Sequence, residues 1–318
     1  MIANFTIADA AFQKSVELLL QLHRLTLAGQ DETEAADALR DQMETPWYAM
    51  TTKDQIRVDA LSADLYSIRK EETPLRSTSS APANFAAEVQ ALTAKEDWDG
   101  ILDRIREHES SLEGRDVAYV RGLCWAHLGE PNVAIEFLTE AGRLRDLTEW
   151  EEVLLLTCFV RAGRACDALG RAQEIQGMSS SDPQLLLKAA EVFSMAAEES
   201  PSEHAAEYRR AAIDCAERAL HRLELDSETH TSFAVSGLFH LAMNFAQLGN
   251  HDKALEACRR SLAISPEDPD TLMLHGFLTF DNFPEARRAI FFENKRSQFV
   301  GESYDRLLAI PGFTPLSN

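Results

Sequence analysis

One interval recurs along this chain. Thirty-four residues separate Gly129 from Gly163, and the same distance separates Ala134 from Ala168. The segment GLCWAHLGEPNVAIEFLTEA sets Gly122, Trp125, Gly129, Ala134, Leu138 and Ala141 at fixed offsets. A later segment, GLFHLAMNFAQLGNHDKALEACRRSLAISPEDPD, places Leu238, Leu241, Ala242, Phe245, Gly249, Ala254, Ser261 and Pro266 at the corresponding offsets. On either side of each glycine the apolar residues fall three or four apart, the spacing of a helix face. Each copy therefore reads as two helices joined by a tight turn. Small residues let the paired helices approach, glycine supplies the turn, and bulky residues fill the gap to the next copy. A unit of this kind buries its apolar face only against its neighbours, which predicts an all-α array.

The pattern resembles the tetratricopeptide repeat, a helix–turn–helix unit of about 34 residues. In the later segment Leu238 takes the large first position, Ala242 and Ala254 the small contact positions, Gly249 the turn, and Pro266 the end of the second helix. The resemblance implies an α-α superhelix, a tetratricopeptide-repeat solenoid of about five repeats over residues 84–300. The copies at 115–148, 149–182 and 235–268 are clean. In the first, 81–114, Gly100 stands where alanine is expected. The copy that begins near Asp182 is stretched, with 44 residues from Ala168 to Ala212 and 42 from Ala212 to Ala254. The last starts at Pro269, is short, and carries Pro284 near its turn. Residues 301–318 are expected to hold a terminal helix that covers the exposed end of the array, followed by a tail.

Ahead of the array, residues 1–70 predict a small three-helix domain. Thr6 with Asp9 opens a helix carrying Phe12, Val16, Leu19, Leu20, Leu22 and Leu27, which Gly29 closes. Asp31 with Glu34 opens a second, with Ala35, Leu39 and Met43, and the turn around Pro46 and Trp47 stops it. Thr52 with Gln55 opens a third, with Ile56, Leu61, Leu65 and Ile68 on one side. Residues 71–83, with Pro74, Pro82 and a run of serine and threonine, read as a linker. The stretch 36–66 is similar to a segment that precedes tetratricopeptide repeats in bacterial proteins, a similarity that implies no activity.

No motif carries catalytic or cofactor chemistry. The phosphate loops, G-x-G-x-x-G, H-E-x-x-H and G-x-S-x-G are all absent. His204, His221, His230, His240 and His251 include no pair at the i, i+4 spacing of a helical metal site. Cys124 and Cys158 fall at equivalent places in consecutive copies; a redox pair and simple packing of small apolar thiols are the two readings, and packing is favoured. Cys215 and Cys258 read the same way. The expectation is a non-enzymatic protein with no cofactor and no metal.

Charge narrows the partner. With 31 Lys+Arg against 52 Asp+Glu the net charge is −21, a field that repels nucleic acid and anionic lipid. The only mildly basic stretch is Ala286–Arg296, where Arg287, Arg288, Lys295 and Arg296 interleave with Phe291 and Phe292. Neither a basic leader nor an apolar span near the roughly 20 residues of a membrane helix is visible. The five cysteines are an odd number with no C-x-x-C, so a cytoplasmic protein is expected.

What remains is binding surface. In the resembling family the first helix of each repeat lines the inner face and holds the partner. Equivalent offsets nominate Tyr119, Leu123 and His127 in one copy and Val153, Thr157 and Arg161 in the next. Later copies contribute Leu187 and Glu191, then Phe239, Met243 and Gln247, then Met273 and Phe277. A surface this apolar suits an amphipathic helix or extended peptide of a protein partner, the chain's own C-terminal helix, or a second copy of the chain. Two functions fit: an adaptor that holds a partner's segment, and a chaperone-like protein that shields an aggregation-prone client. The subfamily that clamps a C-terminal carboxylate uses Lys, Asn and Arg on this face. Only Arg161 and His127 answer to that here, which argues against the role.

Overall fold

The computed structural model describes residues 7–68, 84–178, 182–200, 202–225 and 231–279. Among these there are fourteen α-helices and no strand. Contacts divide the chain into two units, Met1–Glu151 and Glu152–Asn318. The expected linker, the Thr6 cap, the basic stretch 286–296 and the terminal helix after 301 lie outside the described residues.

The first unit opens with α1 (Ile7–Leu27), α2 (Glu34–Ala49) and α3 (Thr52–Ile68). Phe12, Val16, Leu19 and Leu20 are buried as their spacing predicts, but Leu27 and Ile56 are 54% and 65% exposed. The capping residues also differ from expectation. Thr33 caps α2, accepting from the Ala36 amide, and Thr51 caps α3, accepting from the Asp54 amide. Nor does Pro46 stop α2, which continues to Ala49. Pro46 sits within the final turn, where its missing N–H removes one hydrogen bond and little helix remains to break.

Helices α4 (Phe85–Thr93), α5 (Trp98–His108), α6 (Gly114–His127) and α7 (Pro131–Leu144) complete the unit as two helix pairs. A buried ion cluster ties α3 to them. Asp64, 1% exposed, receives two hydrogen bonds from Arg106 on α5, at 3.1 and 2.7 Å, and pairs with Arg121 on α6 at 2.9 Å. Arg121 also donates to Ser67 on α3 at 2.9 Å. Arg57 of α3 bonds Asp99 at 3.0 Å and lies 5.5 Å from the centre of the Phe12 ring and 5.9 Å from that of Trp125.

The second unit continues α8 (Glu149–Arg161) through a 3-10 turn into α9 (Leu169–Gly177). Two longer pairs follow: α10 (Pro183–Glu199) with α11 (Ser202–Leu225), and α12 (Thr231–Gln247) with α13 (His251–Ile264). Helix α14 (Pro269–Thr279) packs on α13 and α12. The stretched copy is explained by helix length, because α10 and α11 have 17 and 24 residues while α7 and α13 have 14 each.

The turn that defines the repeat is identical in three pairs. Gly129, Gly163 and Gly249 have φ of +85, +65 and +76°. After each, the next amide reaches back to the carbonyl five residues earlier: Glu130 to Trp125, Arg164 to Phe159 and Asn250 to Phe245, at 2.9, 2.9 and 2.8 Å. This is the left-handed glycine closure of a helix. The α4–α5 turn makes the same bond, Asp97 to Leu92 at 3.0 Å, with Glu96 at φ +55° in the glycine's place. Its register is one residue short of 34. The counterpart of Ala134 is thus the buried Ile101 and not Gly100. Gly100 has its own reason: a Cβ there would lie 2.6 Å from the Asp97 carboxylate that caps α5.

Candidate protein-binding face

Helix α12 carries Val235, Phe239 and Met243 at four-residue steps, all half-buried, followed by Gln247. Residues four apart share a helix face, so these side chains form one stripe. Beside it lies a polar seam that the sequence reading did not anticipate. Asn244, 1% exposed, donates to Ser194 Oγ on α10 at 2.8 Å and to the His240 carbonyl at 2.8 Å. On α10, Lys188 bonds Glu191 at 2.6 Å. Burial pushes the Glu191 carboxyl up, but Lys188 and the His240 imidazole more than reverse this and hold it below the usual carboxylate range. The face expected to be mostly apolar is therefore mixed, with a charged and hydrogen-bonded seam between α10 and α12. Asparagine inside an otherwise apolar helix was the available signal, since a buried amide must find a partner.

At the start of α12 the stripe runs into a depression of about 500 Å³. Val235, Phe239 and Ile264 supply its apolar lining, Ser236 a hydroxyl, and Asp268 and Asp270 two carboxylates where α14 begins. Asp268 Oδ2 accepts from the Thr271 amide at 2.9 Å and hydroxyl at 2.6 Å, which caps α14. Asp270 stands in the first turn of that helix.

Three nominated residues are in the core. Leu187, Met273 and Phe277 are 5, 7 and 2% exposed, so they pack helices together and offer no open surface. Leu187 meets α12 where Gly237 leaves room: a Cβ on Gly237 would lie 2.9 Å from Leu187 Cδ2. Of the others in this unit, Val153 and Thr157 are half-buried on α8, with Thr157 donating to the Val153 carbonyl at 2.7 Å, and Arg161 is exposed at its end. In the first unit Tyr119 and Leu123 are half-buried on α6. The Arg115 guanidinium lies 5.5 Å from the Tyr119 ring centre and pairs with Glu151. Burial, and then the Glu151 charge, push the Tyr119 phenol up. His127 stacks flat on Trp98 of α5, 3.9 Å between ring centres and 5° between planes.

The family model described as the tetratricopeptide repeat matches residues 235–268, which take in most of α12, its glycine turn and all of α13. Residues 235–268 are a tetratricopeptide repeat. Among solved structures, the tetratricopeptide-repeat domain of P58(IPK) aligns over 92% of this chain and 72% of that one, at 12% identity. Its TM-score of 0.31 is too low for the superposition to add to the fold already described. No curated protein matches the chain.

A tetratricopeptide repeat is a protein–protein interaction module. Cys124, Cys158, Cys215 and Cys258 are buried, and burial pushes their thiols up to about 12, 11, 12 and 12. A thiol so held stays protonated and is a poor nucleophile. Among the described residues no group of three or more His, Cys, Asp or Glu is placed to hold a metal ion. Nor is any described helix long and apolar enough to cross a membrane.

Proposed function

We propose that this protein is a non-enzymatic adaptor that holds a helix or extended segment of a protein partner against its first-helix faces. The observation that carries the reading is the half-buried stripe of Val235, Phe239 and Met243 on α12, inside the matched repeat. Val153 and Thr157 in the same unit, and Tyr119 and Leu123 in the other, are the further contacts. Glu191, already paired with Lys188, contributes a fixed charge at the seam. Burial of apolar side chains drives the binding, so affinity tolerates added salt. A partner that is itself acidic, a nucleic acid or an anionic membrane is disfavoured by the net charge of −21.

The test is affinity purification from the native cell with mass spectrometry, comparing the unaltered chain with the double variant Phe239→Asp, Met243→Asp. The expected result is loss of the co-purifying partner while helical circular dichroism is kept. An unchanged set of co-purifying proteins would remove this face from consideration. The chaperone-like alternative predicts instead that a client insoluble alone becomes soluble on co-expression.

A further inference from the structure

Helix α7 opens on Glu130 as its N-cap and Pro131 as its first residue. An acid at this place ordinarily turns onto the free amides of the first turn. Glu130 makes no such capping bond. Its side chain leans instead onto α1, where Oε1 accepts from Gln13 Nε2 at 2.6 Å, and the residue is only 7% exposed.

Little charge surrounds this buried carboxyl. On α6 the contact is the Trp125 carbonyl, which accepts from the Glu130 amide at 2.9 Å. On α1, beside the neutral Gln13, Lys14 and Glu17 pair with each other at 2.9 Å. Further along, Arg24 of α1 bonds Glu136 of α7 at 3.0 Å. The cation that acts on Glu130 is Arg57 of α3, and its guanidinium is bonded to Asp99 of α5 at 3.0 Å. Burial pushes the Glu130 carboxyl up, and the Gln13 bond and the Arg57 charge only partly offset it.

We propose that Glu130 and Gln13 form an acid-tightened latch that holds α1 against the start of α7. With the carboxylate ionised, the contact is one hydrogen bond from Gln13 Nε2 to Oε1. A proton taken from solvent by Oε2 turns that oxygen into a donor to Gln13 Oε1, while Glu130 Oε1 goes on accepting from Nε2. One bond becomes two, and the cost of a buried charge disappears. An unfolded glutamate titrates near 4.3. The folded carboxyl takes its proton at higher pH, so the cost is fully present above that point and fades as pH falls towards about 4.3. The latch lies within the first unit and does not rest on the adaptor reading.

Denaturant titrations of the full chain and of Glu130→Gln, between about pH 8 and pH 5, test it. The variant keeps the shape and the Gln13 contact and carries no charge at any pH. It should have the higher midpoint at the alkaline end, and the gap should narrow as pH falls and the unaltered chain gains its proton. Other carboxylates titrate in both chains and cancel in the difference. Amide hydrogen exchange, corrected for the intrinsic effect of pH, should show α1 gaining protection on acidification in the unaltered chain relative to the variant. A gap of the same size at every pH would reduce the effect to packing and overturn the latch. A variant less stable throughout would show that α7 uses the charge itself, and would overturn it as well. So would exchange gains that leave out α1. The Phe239, Met243 experiment stands or falls separately.

Discussion

Glu96 is the one non-glycine with positive φ among the described residues. Its Cβ crowds the backbone in the left-handed region at a cost of about 1–2 kcal/mol. Glycine escapes that crowding but loses about 0.5–1 kcal/mol more chain entropy on folding. Glu96→Gly should therefore stabilise the protein by about 0.5–1 kcal/mol, read as a higher denaturant midpoint at unchanged slope. A fall in the midpoint would mean that the Glu96 side chain makes a contact worth more than the strain. The opposite constraint operates at Gly122, where a Cβ would lie 2.6 Å from Leu138 Cγ. That contact fixes how closely α6 approaches α7, and it is why a small residue is needed at position 122.

Helix α2 buries only Ala36, whereas α1 buries Phe12, Val16, Leu18, Leu19 and Leu20 and α3 buries Val58, Leu61 and Leu65. Polar bonds add to this packing on α3, and Asp64 is their centre. Two arginines, Arg106 and Arg121, converge on this one buried carboxylate. Removing it leaves Arg121, 3% exposed at its side chain, with only the part-exposed Glu109 as a counter-charge. Breaking a buried pair from one side costs about 3–5 kcal/mol. Asp64→Ala should lower stability by about 3 kcal/mol in a denaturant titration that follows tryptophan fluorescence. A loss below about 1 kcal/mol would show that solvent already screens the cluster. Further bonds of the same kind run from α1, Gln13 to Glu130 at 2.6 Å and Arg24 to Glu136 at 3.0 Å.

Five thiols distributed over both units report on the whole molecule. Cys166 is exposed and the other four are buried. A disulfide reagent should therefore titrate one thiol in the native protein and five after denaturation. Two or more fast thiols under native conditions would show that a unit opens readily. The pH dependence has a definite sign. Each buried thiol keeps its proton in the folded state until about 11 to 12, whereas an unfolded thiol ionises near 8.5. Their contribution is complete below about 8.5 and is lost as pH rises towards 11–12. The denaturant midpoint should fall on that alkaline limb, and less steeply in Cys215→Ala.

The periodicity by itself determined the fold class, the glycine turns at 129, 163 and 249, and the repeat at 235–268. These are local: a turn needs its glycine and a paired helix its small residues, whatever lies elsewhere in the chain. Tertiary structure decided what spacing could not convey. It buried Leu187, Met273 and Phe277 although they share register with the half-buried Phe239 and Met243. It also drew Asn244, Ser194 and His240 into a seam, and brought Asp64 to Arg106 and Arg121 from 42 and 57 residues away. A helix offset names a direction around one axis. Which neighbour occupies that direction depends on helices far along the chain.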